Sequence, residues 1–251
     1  MKIALCLSGQ PRFLEKAFPY INNHLIVPNK PDVFFHTWFD KDDVGKEYRG
    51  DNSQWKTNPN NKVNPNTIDL LMSLYKPTAY KIEKQKELKN SKWNMMPTTE
   101  AVMRHYSNPE GRNYLINSMY CMWYSIFEAN HVKEVYRMEN DIHYDCVIRC
   151  RFDAIIPRVL VCSELDLSIL WVSHDRQVPN TVDDWFAVSS NRNMNIYTGM
   201  FPLMDIYHEQ CMARDGISSN EHLAYEMVKH FDLEWRVLPN FKIEFVRPWM
   251  V

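Results

Sequence analysis

Two short apolar runs near the N-terminus constrain the fold of this chain more than any other feature. Residues 3–7 (Ile-Ala-Leu-Cys-Leu) are continuously apolar and are followed by Ser8-Gly9, a pattern typical of a strand buried on both faces of a parallel sheet. Residues 32–38 are rich in β-branched and aromatic side chains and predict a second strand. Between them, Pro19 predicts a late start or a kink in a helix whose spacing is marked by Leu14, Phe18, Ile21 and Leu25. The chain therefore opens as a βαβ unit, and we expect an α/β fold.

The rest of the chain continues to alternate strand and helix patterns. We predict a long surface loop over 39–66 and helices over 68–75, 113–137, 192–211 and 219–230. Further strands are predicted over 79–83, 146–153, 170–173 and 185–189, and we expect 234–238 and 241–246 to form a closing β-ribbon. The predicted architecture is a mostly parallel central sheet flanked by helices, within a single domain over residues 1–251.

Composition and charge limit the classes of function. With 29 basic and 31 acidic residues the formal charge is -2, and no long basic run occurs, so we expect no nucleic-acid partner. The run over 3–7 is far too short for a membrane span or a signal-peptide core, and we expect neither. The six cysteines are scattered without a CxxC pair, which predicts reduced core residues and a cytoplasmic location.

Ligands of an open α/β sheet bind beyond the carboxyl ends of its strands. The segments at the ends of the predicted strands, and hence the candidate ligand-binding segments, are residues 8–12, 36–38 and 151–153. Asp153 can supply one of the hard oxygen ligands that Mn2+ or Mg2+ requires when it bridges a diphosphate, although an Asp here can also cap a turn. Arg149 and Arg151 share one face of an apolar strand, where a guanidinium group requires a carboxylate or a phosphate. We predict that Arg151 contacts phosphate or ribose, whereas a structural ion pair accounts equally well for Arg149.

Several sequence blocks together resemble a group of bacterial and large-virus glycosyltransferases of the GT-A type. These blocks are residues 7–12 (LSGQPR), 32–38 (DVFFHTW), 117–120 (NSMY), 147–153 (VIRCRFD), 183–189 (DDWFAVS), 221–223 (EHL) and 245–248 (FVRP). The resemblance implies a GT-A-like Rossmann-type fold that moves a sugar from a nucleotide-sugar donor to a carbohydrate or other hydroxyl acceptor. It also implies a metal-binding Asp-x-Asp signature, in which this chain has Arg151 in the first position and Asp153 in the second.

The resemblance further assigns roles to individual residues. It implies that the donor nucleotide contacts the first strand-loop, which makes Ser8, Gln10 and Arg12 predicted donor-binding residues. Trp38, which can stack on a base or a sugar ring, and Arg151 complete the predicted donor-binding set. His222 joins Asp153 as a predicted metal ligand, and the predicted catalytic base is Asp184 or else Asp183, with Asp184 favoured because it abuts a predicted strand. Residues 1–153 would form the half that binds the nucleotide-sugar, and residues 154–251 the acceptor side.

Each assignment has a structural alternative. A tight turn accounts for residues 8–12, a solvated turn for 183–184, and core packing for His36, Trp38 and Trp185. A capping box from Ser218 to Glu221 accounts for the start of the last helix, where His222 can be purely structural. At the level of function, the alternatives are a non-catalytic nucleotide- or carbohydrate-binding domain of the same fold, and a nucleotidyltransferase.

Overall fold

The computed structural model describes residues 1–48, 62–88, 109–174, 178–216 and 218–247, with side chains of the helix that begins at Pro109 described from residue 116 onward. The nine strands in this part of the chain are β1 (Ile3–Gly9), β2 (Asp32–Trp38), β3 (Ala79–Glu83), β4 (Cys146–Arg151), β5 (Ala154–Ile155), β6 (Leu170–Val172), β7 (Ala187–Ser190), β8 (Trp235–Val237) and β9 (Glu244–Phe245).

Seven of these strands form one sheet in the order β3-β2-β1-β4-β7-β6-β8. Strands β3, β2, β1 and β4 pair in parallel, β7 pairs antiparallel with both β4 and β6, and β6 pairs in parallel with β8. Only β7 therefore runs against the others. The predicted mostly parallel α/β sheet is confirmed, and its interior strand β1 is buried along residues 3–8, as its apolar run predicts.

Helices cover both faces of this sheet. The main helices are α1 (Leu14–Ile21), α2 (Thr67–Tyr75), α3 (Pro109–Glu139), α4 (Asn191–Thr198), α5 (Met204–Asp215) and α6 (Asn220–His230). One face packs on α1 and α2 through a core that includes Leu5, Leu14 and Leu71. The other face packs on α3 to α6 through Cys6, Trp123 and other apolar side chains. The carboxyl ends of β1, β2 and β4 therefore meet at one edge between two helical layers.

Several predicted boundaries are corrected by the structure. Helix α1 begins at Leu14 and passes through Pro19 without a late start, and a π-helical turn, Asn22–Ile26, follows it. The helix predicted over 192–211 is two helices, separated by Gly199 and by a 3-10 turn, Phe201–Leu203. The strand predicted over 185–189 begins only at Ala187.

Two further corrections bear on the site. Strand β4 ends at Arg151, and Asp153 lies in the turn that joins β4 to β5, not in the strand itself. The predicted closing ribbon is wrong: β8 joins the main sheet beside β6, and β9 pairs antiparallel with β5 in a separate two-stranded sheet. Much of the two polar stretches between β2 and α3, namely 49–61 and 89–108, lies outside the described residues.

The six cysteines are free and buried, which confirms that they are reduced core residues. None of the described helices is both long and apolar enough to cross a bilayer.

Candidate functional site

Asp153 lies where separate segments of the chain meet, and only 1% of the residue is exposed. Arg151 donates from Nε to Oδ1 and from Nη2 to Oδ2, each at 2.8 Å, while Arg12 donates from Nη2 to Oδ2 at 3.1 Å. Burial by itself raises the pKa of Asp153, but the charges of Arg151 and Arg12 outweigh it and lower the pKa from 3.8 to about 2. The carboxylate is therefore ionised and shared by two guanidinium groups.

A third arginine, Arg247, reaches the same place from the C-terminal segment. Strand β9 places Phe245 opposite Ala154, and the next residue along donates a backbone hydrogen bond to the Asp153 carbonyl at 2.9 Å. The Phe245 ring centroid lies 4.1 Å from Cζ of Arg151 and 5.2 Å from Cζ of Arg247, so the ring lies against both guanidinium groups. We call Arg12, Arg151 and Arg247, with Asp153, the arginine cluster.

Sequence reasoning did not assign a role to Arg247. Its only signal was its place in the block over 245–248, because a two-residue strand such as β9 carries no periodicity that reveals its partner. Its charge nevertheless contributes to lowering the pKa of Asp153. Arg12, Arg151 and Asp153, in contrast, were predicted from the carboxyl-edge rule and from the resemblance, and the structure brings all three together.

Buried hydrogen-bond donors without acceptors lie beside the arginine cluster. Ser8 is the register partner of Arg151 across β1 and β4, is 2% exposed, and its Oγ has no hydrogen-bond partner among the described residues. Arg149 is 1% exposed; its Nη1 donates to the Asp184 carbonyl, whereas its Nε and Nη2 have no partner in the same described set. An unsatisfied buried polar group costs about 1–3 kcal/mol. These donors therefore indicate a place where other acceptor atoms, of a ligand or of water, complete the hydrogen bonding.

Asp183 and Asp184 are buried just before β7, with exposures of 1% and 3%. Ser173 donates to the Asp183 carboxylate, and Tyr197 donates its hydroxyl to the Asp183 carbonyl at 2.8 Å. A solvated turn is therefore the wrong alternative for this pair, because the turn is enclosed. Burial lowers the pKa of Arg151, but Asp153 and, less strongly, Asp184 outweigh burial and raise it, so both carboxylates lie near this guanidinium.

A second polar group occupies the same sheet edge on the side of β2 and β3. The imidazole of His36 is fully buried, with Nδ1 2.8 Å from Ser125 Oγ and Nε2 3.1 Å from Glu83 Oε2. Ser125 Oγ also accepts the backbone N–H of Gly9 at 2.8 Å. Burial is the main cause that lowers the pKa of His36 from 6.5 to about 4, so the ring is neutral at pH 7. We call His36, Ser125 and Glu83 the histidine cluster; core packing is confirmed for His36.

The other predicted donor-binding residues have structural roles in this arrangement. Trp38 is 5% exposed and stacks on Tyr124 with a centroid separation of 5.4 Å, so its contact with a base or sugar stays a prediction. The Gln10 carbonyl accepts the N–H of Arg12 at 2.9 Å and so shapes the turn that carries Arg12. Trp185 lies with its ring centroid 4.7 Å from that of Phe245, at the border of the arginine cluster.

His222 lies in the first turn of α6, where its Nδ1 is 2.8 Å from Ser219 Oγ. Ser219 caps this helix, so the prediction that Ser218 is the capping residue is wrong. His222 and Asp153 share no hydrogen-bond or ion-pair partner among the described residues. Within the same ranges, no group of three or more His, Cys, Asp or Glu side chains is arranged to hold a metal ion.

Comparisons with known proteins give a limited result. No protein-family model matches the chain, and no curated protein matches it at a significant level. Among solved structures, the apo form of the glycosyltransferase GlyE from Streptococcus pneumoniae TIGR4 is similar with a TM-score of 0.43 and 9% sequence identity. The match covers 94% of this chain and 44% of that one, so this chain spans less than half the length of the protein it resembles.

Proposed function

We propose that this protein is a glycosyltransferase that moves a sugar from a nucleoside-diphosphate sugar to a hydroxyl group of a glycan or another acceptor. The observation that carries the proposal is the arginine cluster at the carboxyl edge of β1 and β4, where three guanidinium groups surround one buried carboxylate. This is the edge of a parallel sheet at which nucleotides bind, and guanidinium groups recognise diphosphates through paired hydrogen bonds. The sequence blocks that resemble GT-A glycosyltransferases contribute most of the same residues.

The proposed reaction forms one bond and breaks one bond. The acceptor oxygen attacks the anomeric carbon of the donor sugar, and the bond from that carbon to the diphosphate oxygen breaks, so that its electron pair leaves with the nucleoside diphosphate. The acceptor proton passes to a carboxylate, for which Asp184 is the proposed base because it lies buried just before β7, where its carbonyl accepts a hydrogen bond from Arg149 on β4. Positive charge beside the departing diphosphate stabilises the negative charge that develops there.

The predicted metal ion fits the observed side chains poorly. Both oxygens of Asp153 already accept hydrogen bonds from guanidinium groups. A dication bound to either oxygen would lie close to Arg151 and Arg12, and like charges about 4 Å apart repel by several kcal/mol near a protein surface. Mn2+ or Mg2+ dependence therefore stays a prediction to be tested, and no step of the proposed reaction passes through a metal.

The proposal is tested with a panel of nucleotide-sugars, each incubated with the protein in Mn2+, in Mg2+ and in EDTA. Release of nucleoside diphosphate from one donor, faster when an acceptor is added, is the expected result. Use of nucleoside triphosphates with release of pyrophosphate would indicate the nucleotidyltransferase instead. Binding without turnover would indicate the non-catalytic domain, and a thermal-shift screen detects such binding because a ligand at a hundred times its Kd stabilises a protein by about 2.7 kcal/mol.

A further inference from the structure

The arginine cluster holds more positive than negative charge. Arg12 follows β1, Arg151 ends β4 and Arg247 follows β9, so three distant segments each deliver one guanidinium group to the neighbourhood of Asp153. The Asp184 carboxylate also contributes to raising the pKa of Arg151, so the three guanidinium groups are accompanied by two carboxylates. A diphosphate carries negative charge and several acceptor oxygens, so it complements arginine side chains in both charge and hydrogen bonding.

Hydrogen-bond donors that Asp153 does not use remain at and beside the cluster. Arg151 uses Nε and Nη2 on the carboxylate, and no acceptor among the described residues bonds to its Nη1, although its side chain is 23% exposed. Ser8 Oγ and two nitrogens of Arg149 are buried donors with no acceptor in the described part of the chain. Asp153 therefore orients the Arg151 guanidinium group without using all of its N–H donors.

Phe245 adds an aromatic contact to the arginine cluster. Its ring lies against Arg151 and Arg247, and Trp185 packs on it edge to face. A guanidinium group that is held both by a bidentate carboxylate and by an aromatic face loses little further freedom when a ligand binds. This arrangement favours direct recognition of an anion by arginine.

We propose that Arg12, Arg151 and Arg247 bind the diphosphate of the donor directly, in the place of a divalent cation, with Asp153 acting as their positioning residue. This inference rests on the proposed glycosyltransferase function for the identity of the diphosphate. It differs from the sequence prediction in the role of Asp153, which orients two arginines and does not ligate a metal.

Inorganic pyrophosphate is the probe that tests the anion site without a choice of nucleotide. Titration calorimetry in EDTA should show pyrophosphate binding by the wild-type protein, and Mn2+ should not be required for it. Arg12→Ala and Arg247→Ala should each weaken pyrophosphate binding by about 10- to 100-fold, because each removes a charge-assisted contact. The matched control is Arg236→Ala, since Arg236 is a 59% exposed arginine on β8 that pairs with Glu234.

Asp153→Asn separates the two roles of the carboxylate. It removes the charge that a metal ligand requires but keeps all three arginines and the shape of the residue that orients them. Pyrophosphate binding in EDTA should therefore be weakened less than in Arg12→Ala or Arg247→Ala, and its complete loss would contradict the direct arginine contact. Binding that needs Mn2+, or Arg12→Ala and Arg247→Ala variants that are folded by circular dichroism and bind like the wild type, would overturn the inference.

Cleavage of a nucleotide-sugar, followed in parallel, distinguishes this inference from the proposed function. If EDTA abolishes cleavage of the nucleotide-sugar, the inference that arginines replace the divalent cation is overturned, and the proposed glycosyltransferase function is unaffected. Conversely, pyrophosphate binding in EDTA that the arginine variants weaken supports the anion site even if no nucleotide-sugar is cleaved, a result that would remove only the proposed function.

Discussion

The arginine cluster and the histidine cluster lie at the same carboxyl edge of the sheet, yet they differ in how completely their polar atoms are bonded. In the histidine cluster, both ring nitrogens of His36 and the hydroxyl of Ser125 have partners, and Glu83 also contacts Lys81, Lys86 and Tyr124. Beside the arginine cluster, Ser8 Oγ and two nitrogens of Arg149 have no partner among the described residues.

This difference separates a structural network from a candidate binding site. A buried polar network whose members are all satisfied is complete without any ligand, and it fixes the packing of β2 and β3 against α3. Three arginines gathered about one buried carboxylate, beside donors that no described residue satisfies, are not explained by folding alone. The two clusters therefore make opposite predictions: changes in the histidine cluster should act on stability, and changes around the arginine cluster should act on ligand binding and turnover.

The largest expected effect is on catalysis. Asp184→Asn should lower the rate of transfer to the acceptor by about 10²–10⁴-fold, because it removes the proposed base while keeping the shape of the side chain. Donor affinity should change little. The measurement is the initial transfer rate at saturating donor, with Glu83→Gln as the matched carboxylate change in the histidine cluster. If Asp184→Asn keeps full activity and Asp183→Asn loses it, Asp183 is the base. If both variants keep full activity, the base is another residue.

The next effect concerns the buried ion pair itself. Arg151→Ala should destabilise the fold by up to about 3–5 kcal/mol, because the Asp153 carboxylate, 1% exposed, loses its bidentate partner. The double variant Arg151→Ala/Asp153→Ala should recover part of this stability, since no buried carboxylate remains without its bidentate partner, although Arg12 loses its bond to Asp153. It should not recover donor binding. Denaturant unfolding and donor titration measure the two effects separately. If the double variant recovered both stability and donor affinity, the Arg151–Asp153 ion pair would have only a structural role.

Much of the fold was predictable because its main strands and its longest helix carry clear residue patterns. Strands β2 and β3 have the predicted limits, β2 as a largely buried run and β3 as an alternating, partly exposed edge strand, and the long helix α3 contains its predicted range. The predicted closing ribbon was wrong because β8 and β9 have only three and two residues, too few for a period to select partners. Their pairing is set by tertiary contacts with β6 and β5.

The candidate site was predictable only in part, for a related reason. Arg12, Arg151 and Asp153 lie at or just after the carboxyl ends of predicted strands, so the carboxyl-edge rule predicts that they lie at one edge of the sheet. Arg247 reaches the site through β9 and could not be placed without the structure. The strand predicted over 146–153 ends two residues earlier, at Arg151, so the turn in which Asp153 meets both guanidinium groups was not predicted.

A smaller effect follows from acid titration of the histidine cluster. Because folding lowers the pKa of His36 from 6.5 to about 4, the unfolded chain binds a proton that the folded chain does not bind between these values. The free energy of unfolding should therefore fall as pH drops from about 7 to 4, by at most about 3 kcal/mol from this residue. Burial also lowers the pKa of His208 and His222, so the informative quantity is the difference between the wild type and His36→Gln. An unchanged slope in His36→Gln would contradict the prediction.

The smallest effect comes from a matched pair of serines, and it tests the contrast between the two clusters most directly. Ser8 and Ser125 are both buried at the same sheet edge, but Ser125 Oγ accepts the Gly9 N–H and bonds to His36, whereas Ser8 Oγ has no partner among the described residues. Ser125→Ala should destabilise the fold by about 1–3 kcal/mol because it leaves two buried groups without a partner.

Ser8→Ala should leave stability unchanged or slightly raised, since it removes a hydroxyl that the fold does not satisfy. If that hydroxyl bonds to the donor, the same change should weaken donor affinity by up to about tenfold, as expected for one neutral hydrogen bond of about 1 kcal/mol. Chemical denaturation and donor titration of both variants give the four values needed. A Ser8→Ala variant that loses stability and keeps donor affinity would show that its hydroxyl serves the fold, and the contrast between the two clusters would then rest on the arginines alone.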